Sequence, residues 1–281
     1  MAIALALASA VGFGVADFLG GVATRRSHTL PITGLSQAVG AVLLVVAVPL
    51  VGGNVTSDAL VWGGIAGIGG AGGLALYLRA LAIGPMGVTG PLAAVAGAMV
   101  PVVVGLAMGE RPGLLASIGV AAGVLAAALV SRPAPSAVRT SSPWRTATSR
   151  GVLAALGAGL LFGLFFVALE RAPTDSGLWP LVGARATGLT LILALLASRR
   201  PALPSRVAAG TGLVSGALDM AANVLFLLAV RQGLLVLTAV LTSLYPVIVL
   251  LLARQVLGER LSRTQWGGVA TALTAVALIA V

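Results

Sequence analysis

The sequence predicts an all-α integral membrane protein, with ten transmembrane helices arranged as two inverted five-helix repeats. Three observations predict it. Only 9% of the 281 residues are charged and 59% are hydrophobic, whereas a soluble domain carries about 25% charge. Apolar stretches of about 20 residues recur along the chain, each long enough to cross ~30 Å of hydrocarbon as a helix. The tripeptide Gly-Glu-Arg occurs twice, with 149 positions separating Glu110 from Glu259.

The first span, 2–22, opens on MAIALALASA. It lacks the basic start of a signal peptide, and its apolar run continues through Gly12–Gly21, so it reads as a spanning helix. Proline, glycine and charge punctuate the remainder into spans at 31–51, 59–80, 86–108, 113–131, 150–169, 177–197, 207–229, 234–256 and 262–281. The longest polar interval, Ser131–Arg150 (SRPAPSAVRTSSPWRTATSR), has the Pro, Ser, Thr and Arg content of a solvated linker. It divides the chain into an N-terminal repeat (1–131), a linker (132–149) and a C-terminal repeat (150–281).

The halves resemble each other. GFGVADFLGG in span one stands opposite LFGLFFVALE in span six at the same 149-residue offset, and a proline precedes each Gly-Glu-Arg: Pro101 in span four, Pro246 in span nine. Nine positions separate Pro101 from Glu110 and thirteen separate Pro246 from Glu259, which suggests a helical turn gained or lost. Because five is odd, the second repeat enters the bilayer from the opposite side, the inverted arrangement common in secondary transporters.

The formal charge of +10 is carried by arginine alone. In a membrane protein these residues set orientation, not nucleic-acid binding. Arg25, Arg26, Arg79, Arg132, Arg139, Arg145, Arg150, Arg199, Arg200, Arg206, Arg254, Arg260 and Arg263 follow odd spans; Arg111, Arg171 and Arg231 follow even ones. The bias puts the linker in the cytoplasm and both termini outside the cytoplasmic (inner) membrane. There is no cysteine and one histidine, His28, in a loop. That leaves no thiolate, no metal cluster, no HExxH and no GxSxG, so neither an enzyme nor a cofactor is expected.

The two knots read as interfacial helix reversals built by Glu110 and Arg111, and by Glu259 and Arg260. Ser262 and Gln265 form a capping box, Pro112 suits the first helical turn, and glutamate suits the positive end of a helix dipole. Pro91, Pro101 and Pro246 mark places where a span can bend.

Ionisable residues inside a membrane are costly and point to function by default. Asp17, Arg79, Arg185 and Asp219 qualify. Asp17 and Asp219 are either proton-coupling carboxylates or partners in an interhelical pair. Arg185 either binds an anionic substrate group or neutralises one of those aspartates. Asn223, one turn after Asp219, and Tyr77 and Tyr245 complete the polar set. The glycine-rich Trp62–Tyr77 stretch allows close helix approach, static or sliding.

LTAVLTSLYPVIVLLLARQVLGERLSRTQWGGVATALTAVALIAV is similar to the drug/metabolite transporter superfamily, specifically its EamA-like family. GVADFLGGVATRR and RALAIGPMGVTGPLAAVAGAMVP support the resemblance, which spans nearly the whole chain. It implies a secondary transporter exporting a small metabolite, amino acid-like or an amphiphilic drug, through a cavity between the halves. The partners expected are that substrate, H+ through Asp17 and Asp219, and the lipid bilayer, with the chain acting as monomer or homodimer. A lipid or lipid-linked carrier flippase and a non-transporting membrane scaffold are the alternative readings.

Overall fold

The computed structural model describes residues 1–24, 27–83, 86–130, 149–258 and 261–280. Arg25, Arg26, the linker, Glu259, Arg260 and the side chains of Arg79 and Pro91 lie outside the described residues. Every regular element described is helical. The first half holds α1 (Ala2–Thr24), α2 (Thr29–Val51), α3 (Ser57–Ile83), α4 (Met86–Ala107) and α5 (Leu114–Val130). The second holds α6 (Ser149–Arg171), α7 (Trp179–Arg199), α8 (Arg206–Val230), α9 (Leu235–Thr242), α10 (Tyr245–Leu257) and α11 (Arg263–Ala280), with a 3-10 turn at Thr174–Ser176. Seven stretches among the described residues are long and apolar enough to cross a membrane, and Val95–Ala107 and Leu114–Leu129 are shorter apolar helices.

The residues sort by size instead of polarity. α1 buries Ala6, Ser9, Ala10, Gly14 and Ala16, while α2 presents Val45 at 74% and Leu50 at 82% exposure. Small residues inside and bulky apolar ones outside suit a surface bathed in lipid, where close backbone approach replaces the hydrophobic effect as the packing force. α1 lies along α8 and α3 along α6; α2 crosses α7, α4 meets α9, and α5 lies along α11. Hydroxyls fasten the first pair. Ser9 Oγ donates to the Ala222 carbonyl at 2.8 Å and Ser215 Oγ to the Ala16 carbonyl at 2.7 Å. Such interhelical bonds are worth about 0.6–2 kcal/mol each in a bilayer. The glycine-rich α3 lies between two helices. A Cβ on Gly67 would sit 2.5 Å from the Ala184 carbonyl of α7, and one on Gly69 would sit 2.7 Å from the Leu161 carbonyl of α6.

One span is interrupted. Leu235–Leu257 is a single apolar stretch, yet α9 stops at Thr242 and α10 starts at Tyr245. The Leu244 N–H turns back to the Leu241 carbonyl at 3.3 Å, a tightened last turn. Pro246, which has no N–H, falls in the first turn of α10, where none is needed.

The loops after α2, α4, α6 and α8 meet at one end of the bundle. The Asn54 backbone N–H donates to the Asp175 carbonyl at 3.0 Å, and Asn54 Nδ2 to Asp175 Oδ2 at 3.2 Å. Arg231 Nη2 reaches the Pro173 carbonyl at 3.1 Å and Ser176 Oγ at 3.2 Å. These loops hold Arg111, Arg171 and Arg231, so this is the arginine-poor face.

Two sequence expectations need correction. The 149-residue offset carries the start of α3 onto that of α8, α4 onto α9 and α5 onto α11. Span four and the broken span therefore have matching ends, and no helical turn has been gained or lost. The differing proline-to-glutamate spacing arises because Pro101 and Pro246 occupy non-equivalent positions. Pro112 also precedes α5, which starts at Leu114; the Ser117 N–H donates to the Gly113 carbonyl at 2.8 Å, while the Pro112 carbonyl accepts from Ser117 Oγ at 3.2 Å. Gly113 is thus the residue that opens the helix. The capping box at α11 is present in both directions: Gln265 N–H donates to Ser262 Oγ at 3.2 Å and Ser262 N–H to Gln265 Oε1 at 2.9 Å.

Candidate functional site

A polar constellation forms where α2, α7 and α8 meet. Arg185 on α7 is only 9% exposed. Its Nη2 pairs with Asp219 Oδ2 on α8 and its Nη1 donates to Gln37 Oε1 on α2. Glycine makes the space. A Cβ on Gly40, one turn from Gln37, would lie 3.1 Å from Arg185 Cζ, and one on Gly188, one turn from Arg185, would lie 3.5 Å from Gln37 Nε2. Both terminal guanidinium nitrogens are thereby engaged within the protein. Of the two aspartates considered for it, Arg185 holds Asp219.

Asn223 follows one turn along α8. Its Nδ2 donates to the Asp219 backbone carbonyl at 2.8 Å, so the amide turns onto its own helix. Its Oδ1 is buried with no hydrogen-bond partner among the described residues. A buried amide oxygen without a donor carries a desolvation cost of about 1–3 kcal/mol.

Asp17 is placed differently. Ala16 and Phe18 on either side are buried, but Asp17 is exposed, although it stands well inside α1. It makes no hydrogen bond or ion pair with the described residues. Asp219, Tyr77 and Tyr245 all lie within electrostatic range of its carboxylate. Four residues from four helices therefore lie within reach of one another's charge.

Aromatic rings cluster nearby. Phe13, one turn above Asp17, packs edge-on against Tyr245 at 6.5 Å and Phe166 at 6.4 Å between centroids. Phe166 continues to Phe226 at 4.6 Å, and Tyr77 meets Phe162 at 6.2 Å. The site can therefore offer one unpartnered carboxylate, a neutralised Arg-Asp pair and several π faces.

Sequence reasoning missed Gln37 and the aromatic cluster. A lone glutamine in the apolar run of span two was a usable signal for the first. The rings sit at ordinary helical positions that carry no signal of their own. Glu110 is at the arginine-poor face, away from this constellation. Its two oxygens accept from the Leu235 N–H at 2.6 Å and the Val236 N–H at 2.8 Å, at the start of α9. The dipole it serves belongs to the other half of the chain and not to the helix that follows it. Arg111 is exposed. Pro101 is buried within the continuous α4.

Apolar helices long enough to span a bilayer, closed around a small set of polar side chains, define a multi-pass α-helical membrane protein. Residues 149–281 match the model of the EamA-like transporter family. The C-terminal half is therefore similar to that family, of the drug/metabolite transporter superfamily, in line with the resemblance read from the sequence. No curated protein matches the chain. A solved structure described as "Crystal structure of protein" superposes with a TM-score of 0.76 at 19% identity, over 98% of this chain and 98% of that one. At that identity the likeness concerns the fold alone.

Proposed function

We propose that the chain is a ten-span secondary transporter of the cytoplasmic membrane. Its two inverted five-helix repeats, 1–131 and 150–281, rock about a central cavity to export a small amphiphilic metabolite. Asp17 carries this reading: it is an exposed carboxylate inside an apolar bundle, without a partner among the described residues and facing Tyr77 and Tyr245. A charge held in such a place at such cost has a ligand to meet. Arg185 is occupied by Asp219 and Gln37, so Asp17 is the group left to bind either a proton or the ammonium of a cargo. The aromatic rings suit the apolar body of that cargo and add cation–π attraction.

The repeat is supported by the coincidence of helix starts at the 149-residue offset and by the reciprocal packing of α1 on α8 and α3 on α6. The arginine bias sets the orientation, with the linker cytoplasmic and the termini outside. Export proceeds as Asp17 exchanges cargo for a proton on alternate sides, while the Arg185–Asp219 pair holds α7 to α8 through the cycle.

The test is a screen of ammonium-bearing amphiphiles for thermal stabilisation of purified protein, since a ligand bound only to the folded state raises the melting temperature. Hits that stabilise the wild type and not Asp17→Asn support the assignment. Hits that stabilise both equally move the site elsewhere.

A further inference from the structure

We infer that Glu110 is a latch that holds the arginine-poor mouth of the pathway shut by capping the free end of α9. This rests on the transporter reading above. α9 is eight residues long and joins α10 through the tightened turn at Ser243–Leu244. A 3-10 turn inside a span is a place where a helix can hinge. The first N–H groups of α9 have no partner within the helix, and they form the positive end of its dipole.

Glu110 supplies what that end lacks. It belongs to the α4–α5 reversal in the opposite half, and its carboxylate takes both the Leu235 and the Val236 N–H. The surroundings are shaped for it. Gly109, at φ +91°, turns the chain, and the Glu110 N–H bonds the Gly105 carbonyl at 3.0 Å. A Cβ on Gly105 would lie 2.7 Å from Glu110 Oε2 and 2.7 Å from Val236 Cγ2, so only glycine lets carboxylate and helix meet there. Beside α9 lies a cavity of about 290 Å³, lined in part by Met1, Gln232, Leu234 and Thr238, into which the helix end can tilt.

An opposing force is also present. Glu170, at the end of α6, stands within electrostatic range of Glu110. Among the described residues its Oε2 is buried without a hydrogen-bond partner, and the Arg171 guanidinium lies 3.9 Å away. Like charges there work against the closed arrangement, so the latch is held and not locked.

The absence of native cysteine gives a clean assay. Thr238, 2% exposed, is replaced by cysteine as a reporter and labelled with a bulky membrane-impermeant maleimide added outside. Glu110→Gln on this background should speed labelling about tenfold, the scale of one charge-assisted hydrogen bond. Gly105→Ala, which crowds the carboxylate without altering it, should act in the same direction, and it decides the matter if Glu110→Gln does not reach the membrane. Labelling within twofold of the parent in both variants overturns the latch, even if the protein moves solute. Faster labelling in a protein that moves no solute keeps the latch and removes the transport reading.

Discussion

Breaking the Arg185–Asp219 pair should cost more from one side than from the other. Removing one partner of a buried ion pair costs about 3–5 kcal/mol, and of an exposed pair about 0–1 kcal/mol. The Arg185 side chain is 11% exposed and that of Asp219 29%, so this pair falls between the limits and is asymmetric. Asp219→Asn leaves a buried guanidinium with Gln37 as its remaining bond, and should cost about 2–3 kcal/mol. Arg185→Met leaves a carboxylate that can still hydrate, and should cost about 1–2 kcal/mol. At 2–4 °C per kcal/mol, Asp219→Asn should melt roughly 4–12 °C lower and Arg185→Met roughly 2–8 °C lower. The double variant Arg185→Met/Asp219→Leu removes both charges together, so its cost should fall below the sum of the singles by at least about 1 kcal/mol. The assay is thermal unfolding of purified protein in one detergent. Additive costs, or a larger loss from Arg185→Met, would refute the pairing argument.

Three further outcomes follow from the same geometry. Gly67→Ala pushes a methyl group towards the Ala184 carbonyl, which is backbone and cannot turn away; it should destabilise by about 1–3 kcal/mol, and an unchanged melting temperature would show that α3 and α7 slide freely. Ser262→Ala removes half of the capping box and should cost about 1 kcal/mol, read as a lowered melting temperature that Ser262→Asp restores. Gln37→Leu should leave Arg185 bonded to Asp219 alone, and ligand stabilisation should weaken more than the melting temperature of the apo protein. Equal losses in the two would make Gln37 merely structural.

Much of the fold was legible because the membrane imposes simple rules. Span lengths, the Ser262–Gln265 capping box and the 149-residue offset are local or periodic features, so the helix ends expected from them fall within a few residues of those observed. Proline spacing misled because a proline marks only a break in its own span: Pro246 opens α10, while Pro101 lies within continuous α4. The site was half legible. Charged residues in apolar runs announced Asp17, Arg185 and Asp219. No local signal says which aspartate Arg185 takes, because Asp219 reaches it through helix packing. The same limit hid the bond of Glu110 to α9, whose partners lie 125 and 126 residues away. Gln37 was missed for a different reason. Its polarity is plain in span two, but an uncharged amide draws less attention there than a charge.

The central claim is that Asp17 couples cargo movement to protons in an alternating-access transporter. Proteoliposomes loaded with a stabilising ammonium amphiphile and given a pH gradient test it most directly. The account predicts that flux through the wild type follows the gradient. In Asp17→Asn it should lose that dependence, with a stability within about 0.5 kcal/mol of the wild type's, because no described side chain bonds Asp17. Flux with unchanged gradient dependence in Asp17→Asn, or none above empty liposomes in the wild type, would contradict it.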